Sequence, residues 1–415
     1  MLYKKITKCR ICGNRNLRSV LNLGHLALTG VFPKKHQDVK YGPIELVKCM
    51  SDETDKYCGL LQLAHNYNLE VLYGDNYGYR SGLNASMVKH LTNLVKKVQK
   101  KVDLKQGDLI IDIGANDATL LKQYNGNGFK LVGIDPTIKK FLDHYPKNIT
   151  PIADFFSSRA IRKHTKDRAK VITSIAMFYD LEHPLDFIKQ IHEVLADDGV
   201  WMFEQSYMPL MVRDVMYDTV CHEHLEYYSL KQIKWMLDKV NMKIVGVEMN
   251  DANGGSFNVI AAKKKAPYKE DATGINTLAE MERKMMLDTM EPYKQFAKKV
   301  QNHRYKIQTF LQKARAKGKT VYGLGASTKG NVILQYCNIT SDEMPFIAEV
   351  NEYKFGRYTP ATNIPIISET EARMHKPDYF FVLPWHFKEN IIQREKDYLK
   401  SGGRLFFPLP KLDTV

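Results

Sequence analysis

The chain has 415 residues, 44% hydrophobic, 11% aromatic and 26% charged, the composition of an ordinary globular protein long enough for two or three domains. No run of eighteen apolar residues exists, which excludes a transmembrane helix and predicts no membrane partner, and Met1–Ile6 lacks the apolar centre of a signal peptide, so a cytoplasmic location is expected. The formal charge of +15 permits an anionic partner such as a nucleotide-linked small molecule, but the lysines are scattered, and neither Lys96-Lys97 to Lys100-Lys101 nor Lys263-Lys264-Lys265 is interleaved with aromatics as a nucleic-acid stacking platform would be.

Four of the six cysteines, Cys9, Cys12, Cys49 and Cys58, fall in the first 58 residues. In a cytosolic chain this clustering reads as metal binding. Cys9-Arg10-Ile11-Cys12 forms a knuckle whose thiolates share one tetrahedral zinc, and Cys49 and Cys58, separated by an inserted polar turn at Met50 to Tyr57, complete the set. Four thiolates leave no open position, so the expected role is structural. Residues 1–80 are therefore assigned to a small zinc-binding domain.

Residues 81–265 read as a doubly wound α/β domain. After a basic helix near Met87 to Lys101, Leu109–Ile113 is an apolar run of the parallel-strand kind. Gly114 to Leu121 reads as a tight turn entering a helix. Further strands are expected at Leu131–Asp135, Val171–Ala176 and Val200–Glu204, with helices between. Ligands bind such sheets at the carboxyl ends of the strands. Gly114 lets the backbone approach a ligand, and Asp135 stands where an acid takes a pair of ribose hydroxyls. Nicotinamide enzymes and S-adenosylmethionine methyltransferases share this arrangement, and the absence of G-x-G-x-x-G argues against the former.

Cys221-His222-Glu223-His224 places two imidazoles and a carboxylate together, a composition suited to proton transfer near neutral pH. The spacing is H-x-H and not H-E-x-x-H, which argues for a loop and against a helical zinc-protease site.

From 266 to about 316 the pattern is helical, with Leu278, Met281, Met285 and Met286 near one face and Phe296, Val300 and Tyr305 continuing it. A second, smaller Rossmann-like sheet follows, so that 266–415 forms a helical linker and a substrate-binding domain. Its first strand runs into Gly323-Leu324-Gly325-Ala326-Ser327-Thr328-Lys329-Gly330, where glycines, hydroxyls and a lysine at a helix N-terminus make an anion cradle. Later strands are expected at Phe346–Val350, Tyr379–Leu383 and Arg404–Phe407, and Trp385 and His386 follow the second of these at the ligand edge.

In their order along the chain these pieces resemble the three-domain sugar C-methyltransferases acting on nucleotide-linked keto-deoxysugars. The resemblance rests on the four-cysteine domain followed by Gly59-Leu60-Leu61-Gln62-Leu63, on Tyr77 to Gly82, and on Asp112-Ile113-Gly114. Glu204-Gln205-Ser206-Tyr207, the C-H-E-H segment, Asn253-Gly254-Gly255-Ser256 and the G-L-G-A-S-T-K-G loop complete it. It implies S-adenosylmethionine in the central domain, held by Asp112, Gly114, Asn116, Asp135 and Pro136. Asp154 and Phe155 would lie at the adenine edge, and Tyr77, Tyr79 and Ser81 would close over the cofactor. It also implies a base at His224. Glu223 would orient that base or stabilise its cation, and His222 would donate to the enolate oxygen in place of the family tyrosine, here Cys221. Tyr207, Asn253 and Ser256 would bind the sugar, Ser327, Thr328 and Lys329 the diphosphate, and Trp385 and His386 would line the substrate cleft. An O-methyltransferase of the same fold is the alternative, and a zinc-containing nucleic-acid methyltransferase a more distant one. The sequence leaves the oligomeric state open, with a monomer favoured.

Overall fold

Leu109–Ile113 is buried along its whole length, as a strand covered by helices on both faces requires. It lies inside the central sheet of the protein, for which a computed structural model describes residues 1–35, 38–51, 57–72, 80–124, 126 and 128–415. The sheet has seven strands in the spatial order Met242–Asn250, Ser256–Lys263, Leu195–Ser206, Ala169–Ile175, Leu109–Ile113, Lys130–Ile134 and Ile149–Ile152. The last five run parallel, and Ser256–Lys263 is antiparallel to both neighbours. Helix Ala85–Lys101, capped by the Asn84 side chain on the Ser86 amide, buries Leu91, Leu94, Val95 and Val98 on one stripe. That stripe packs with Ile110, Leu131 and Val171 of the sheet.

The expected helix after Gly114 does not form. The chain makes turns instead, leading to one 3-10 turn at Leu121–Gln123. Asn116 at φ 49° and Ala118 at φ 61° cannot belong to a right-handed helix. Asp117 holds the bend between them, accepting from the Thr119 amide at 3.3 Å and its hydroxyl at 2.5 Å.

An antiparallel four-stranded sheet, ordered Glu226–Tyr227, Leu61–Leu63, Tyr41–Cys49 and Leu17–Ala27, carries the cysteines. Its first strand comes from the segment immediately following His224, so this sheet is completed by residues far downstream. The C-terminal sheet has six strands, ordered Ile366–Ser368, Ile347–Glu349, Val321–Leu324, Tyr379–Val382, Arg404–Phe407 and Asp413–Thr414, all parallel except the last. The strand order reverses at Val321–Leu324, whose carboxyl end leads into the glycine loop and helix Thr328–Tyr336.

Between the two α/β sheets lie helices Ala272–Lys284 and Glu291–Ala316. Leu278, Phe296 and Val300 are buried as expected, but Met286 and Tyr305 are 57% and 67% exposed. Met286 lies beyond the end of its helix at φ 53°. Tyr305 is five residues after Val300, about 140° round the helix, and His303 and Ile307 continue the buried stripe in its place. No helix among the described residues is long and apolar enough to cross a membrane.

Candidate active site

The cysteines converge. The sulfurs of Cys9 and Cys58 are 3.5 Å apart, as are those of Cys12 and Cys49, and all four lie within 4.8 Å of one another. A tetrahedron with Zn–S bonds of about 2.3 Å has edges of about 3.8 Å, so the four thiolates fit one zinc ion and leave no position for a substrate. Residues 52–56, the centre of the inserted turn, lie outside the described residues.

The loop after Leu109–Ile113 forms the second cluster. Gly114 has φ +73°, and a Cβ there would stand 3.1 Å from Met177 Cγ, so both conformation and space demand glycine. Asp112 is buried, accepts from Thr173 Oγ1 at 2.6 Å, and is pushed up to about 7 by burial. Asp135, with Pro136 opening the 3-10 turn behind it, accepts from the Asn116 amide at 3.0 Å and from the Thr137 amide and hydroxyl at 2.6 Å. Its oxygens organise the loop and face the carboxyl edge of the sheet. The Ser81 amide donates to Asn116 Oδ1 at 3.0 Å and the Gly82 amide to Asp117 Oδ2 at 3.1 Å, pinning 81–82 to this loop. Tyr77 and Tyr79 lie outside the described residues. Asp154 and the 44% exposed Phe155 follow the edge strand Ile149–Ile152 at the rim. Replacing Gly114 by Val is expected to weaken S-adenosylmethionine binding by about five- to 150-fold, because the strained φ and the Met177 contact together cost roughly 1–3 kcal/mol. Calorimetric titration of the cofactor checks this, and wild-type affinity would refute it.

The Cys-His-Glu-His segment is drawn in two directions. His224 is partly exposed, and its Nδ1 lies 2.7 Å from the Thr219 carbonyl and 3.2 Å from the Thr219 hydroxyl. A carbonyl only accepts, so Nδ1 carries the proton and Nε2 keeps its lone pair. The ring packs on Tyr179 with centroids 4.4 Å apart, and its pocket is lined also by Ser206, Met208, Met211 and Glu226. Tyr179 and Ser206 stand at or beyond the carboxyl ends of two adjacent parallel strands, so His224 sits on the ligand edge. Burial, then the charge of Lys329, lowers its pKa to about 4.

Its neighbours face elsewhere. His222 is fully buried against Tyr67, centroids 4.9 Å apart, with the carbonyls of Gly42 and Leu26 beside it, and burial lowers its pKa to about 4. It is packed inside the cysteine-bearing sheet and does not face the ligand edge, contrary to its expected place at an enolate oxygen. Glu223 accepts from Thr29 Oγ1 at 3.5 Å. The partner of His224 Nδ1 is the Thr219 carbonyl, whereas Glu223, expected to orient His224 or stabilise its cation, bonds to Thr29. Cys221 is fully buried, its thiol pushed well up by burial.

The glycine loop of the C-terminal sheet closes on this edge. Lys329 Nζ donates to the Asn253 carbonyl at 3.1 Å, and its charge acts on His224, His386 and Asp218 together. Trp385 stands against Gly254 and donates from Nε1 to Asp218 Oδ2 at 2.7 Å. His386 is lowered to about 3 by burial and by Lys329. Ser327 caps helix Thr328–Tyr336 by accepting from the Gly330 amide at 3.0 Å, with Thr328 at its first position.

Two expected sugar ligands are turned away: Tyr207 donates to Glu282 at 2.6 Å inside the core, and Ser256 donates to the Ala252 carbonyl at 2.9 Å. Sequence reasoning also passed over Asp218 and Thr219, whose proximity to His224 in the chain was the available signal, and Tyr179, for which none existed.

Residues 9–73 match a family model described as a zinc binding domain, 83–247 one described as a methyltransferase domain, and 251–410 one described as a C-methyltransferase C-terminal domain. Over 415 residues the chain is 28% identical to the C-methyltransferase NovU of Streptomyces niveus, covering 99% of this chain and 97% of that one. A shorter likeness, 28% identical over 120 residues, links it to the tRNA U34 carboxymethyltransferase of Campylobacter lari, over 28% of this chain and 40% of the relative. An S-adenosylmethionine-dependent methyltransferase structure from Clostridium acetobutylicum aligns with 42% of this chain and 92% of its own, at 12% identity and a TM-score of 0.34.

Proposed function

Because this chain belongs to the family of S-adenosylmethionine-dependent C-methyltransferases assembled from zinc-binding, methyltransferase and C-methyltransferase C-terminal modules, we propose that it methylates a carbon beside the ketone of a nucleotide-diphosphate-linked deoxysugar. The observation that carries this reading is His224: a neutral imidazole whose protonated nitrogen is held by Thr219 and whose other nitrogen is left for a proton, on the ligand edge under Lys329.

When bound, S-adenosylmethionine supplies a methyl electrophile on a cationic sulfur. Asp112, Gly114, Asn116, Asp135 and Pro136 would hold it, with Ser81 above and Asp154 and Phe155 at the rim. His224 removes the proton from the sugar carbon through Nε2, and the Thr219 carbonyl steadies the imidazolium that results. Negative charge then develops on the ketone oxygen. Lys329 is the cation whose charge acts on His224, and it takes the role expected of His222 by facing that oxygen. The amides opening helix Thr328–Tyr336, with Ser327 and Thr328, receive the diphosphate. Asn253, Trp385 and His386 border the sugar. Much of the rate derives from positioning. A nucleic-acid substrate is not favoured, since Lys97 pairs with Glu248 and Lys263 with Asp197 in the two basic runs.

Incubating the enzyme with S-adenosylmethionine and a panel of nucleotide-linked keto sugars should yield one product heavier by a methyl group, seen by mass spectrometry. Gain on an RNA and on no sugar would overturn the reading. The pH profile offers a second check. Protonated His224 cannot accept a proton, so kcat/KM is full above the acid limb and lost as pH falls through it. With the pKa lowered to about 4, that limb is expected well below the ordinary histidine value of about 6.5. Lys329→Met should move it upward, and a limb near 6.5 in the unaltered enzyme would count against His224.

A further inference from the structure

Around His224 the chain is gripped from the cysteine-bearing sheet at nearly every residue except His224 itself. His222 packs on Tyr67. Glu223 meets Thr29, and a Cβ on Gly30 would lie 2.6 Å from Glu223 Oε1, so a side chain there would displace the carboxylate. The Leu225 carbonyl accepts from the Leu63 amide at 2.9 Å and from Arg10 Nη1 at 3.4 Å. Glu226 and Tyr227 pair with Gln62 and Leu61 as the edge strand of that sheet.

Arg10 is the centre of this grip. It sits between the zinc thiolates Cys9 and Cys12, and its guanidinium also donates to the Leu63 carbonyl at 2.7 Å and the His65 carbonyl at 3.0 Å. Its Nε lies 3.6 Å from Glu226 Oε1, with the two side chains 3% and 0% exposed. Arg10 is the cation that faces this buried carboxylate, so removing it would leave Glu226 without its ion-pair partner in the pocket that also holds His224.

We propose that the zinc-binding module positions the catalytic base, with Arg10 as the positioning residue that ties the metal knuckle to the segment 222–227. The module clamps both sides of His224 and leaves that one side chain free to turn onto Thr219 and the ligand edge. This rests on the reading of His224 as base. Zinc therefore serves the reaction at a distance, by holding the knuckle from which Arg10 projects.

The test uses full-length Arg10→Ala with its zinc content measured. Amide hydrogen exchange across 221–228 should accelerate by about tenfold or more, while exchange across 109–135 and S-adenosylmethionine affinity stay unchanged. Methyl transfer should fall by about 100-fold in kcat. Glu226→Gln breaks the same pair without touching the knuckle and carries the test if Arg10→Ala fails to fold or loses metal. Zinc-loaded variants that exchange and turn over as the unaltered enzyme does would overturn the proposal. Hydrogen exchange involves no substrate, so it separates this proposal from the reading of the base: an unaltered enzyme that takes up no deuterium at the sugar carbon would sink the His224 assignment and leave the exchange result standing.

Discussion

Replacing His224 by alanine is expected to lower methyl transfer by about 10²- to 10⁴-fold, the span associated with removing a positioned general base, while the cofactor still binds. The asymmetry follows from the geometry. His224 is held by Thr219 and Tyr179, whereas the loop after Leu109–Ile113, proposed to hold the cofactor, is organised separately by Asp117, Asp135 and Ser81. Deuterium uptake at the sugar carbon should vanish together with turnover, since both need the same proton removed. Near-normal turnover in His224→Ala with cofactor bound would eliminate it as the base.

Zinc removal, or Cys49→Ser, is expected to have the largest effect on stability. Cys49 is fully buried at the end of strand Tyr41–Cys49, and its amide donates to the Leu60 carbonyl at 2.8 Å. The ligand-bearing region is small, and structural zinc sites of this class contribute apparent binding energies of about 10–16 kcal/mol that are available to folding. Losing even a few kcal/mol should lower the melting temperature by about 10 °C or more. The disturbance should reach Glu226–Tyr227, because these residues are a strand of the same sheet. Melting curves with and without a chelator decide it, and coincident curves would show that the thiolates do not hold the module.

The site was legible where chemistry is concentrated in a short stretch of chain. The four cysteines announced a closed metal centre because a Cys-x-x-Cys knuckle with a second pair of thiols supplies the four ligands of a tetrahedral site. Leu109–Ile113 and Gly114 announced a buried parallel strand ending in a glycine turn, because a short apolar run followed by glycine is the local pattern of such a strand. The helix expected after Gly114 was lost to two left-handed residues, Asn116 and Ala118, whose conformation depends on Asp117, Asp135 and Ser81 bonding across the loop. No local propensity records those contacts. The family resemblance implied Tyr207 and Ser256 as sugar ligands, but their hydroxyls are bonded to Glu282 and the Ala252 carbonyl.

The inventory of this protein could be read from its residues alone: four thiolates at Cys9, Cys12, Cys49 and Cys58 suited to zinc, two α/β sheets, a glycine turn at Gly114, and an imidazole cluster at 222–224. These follow from side-chain chemistry and from periodicities of two and 3.6 residues, which act over a few positions. Which imidazole is presented, and by what, depends on the fold. His222 and His224 are two residues apart and alike in composition, yet one is sealed against Tyr67 and the other faces Thr219 and Lys329. That choice is made in the bends at 221–223, ahead of the strand that pairs 226–227 with 61–62, where Tyr67 takes His222, Thr29 takes Glu223 and Thr219 takes His224.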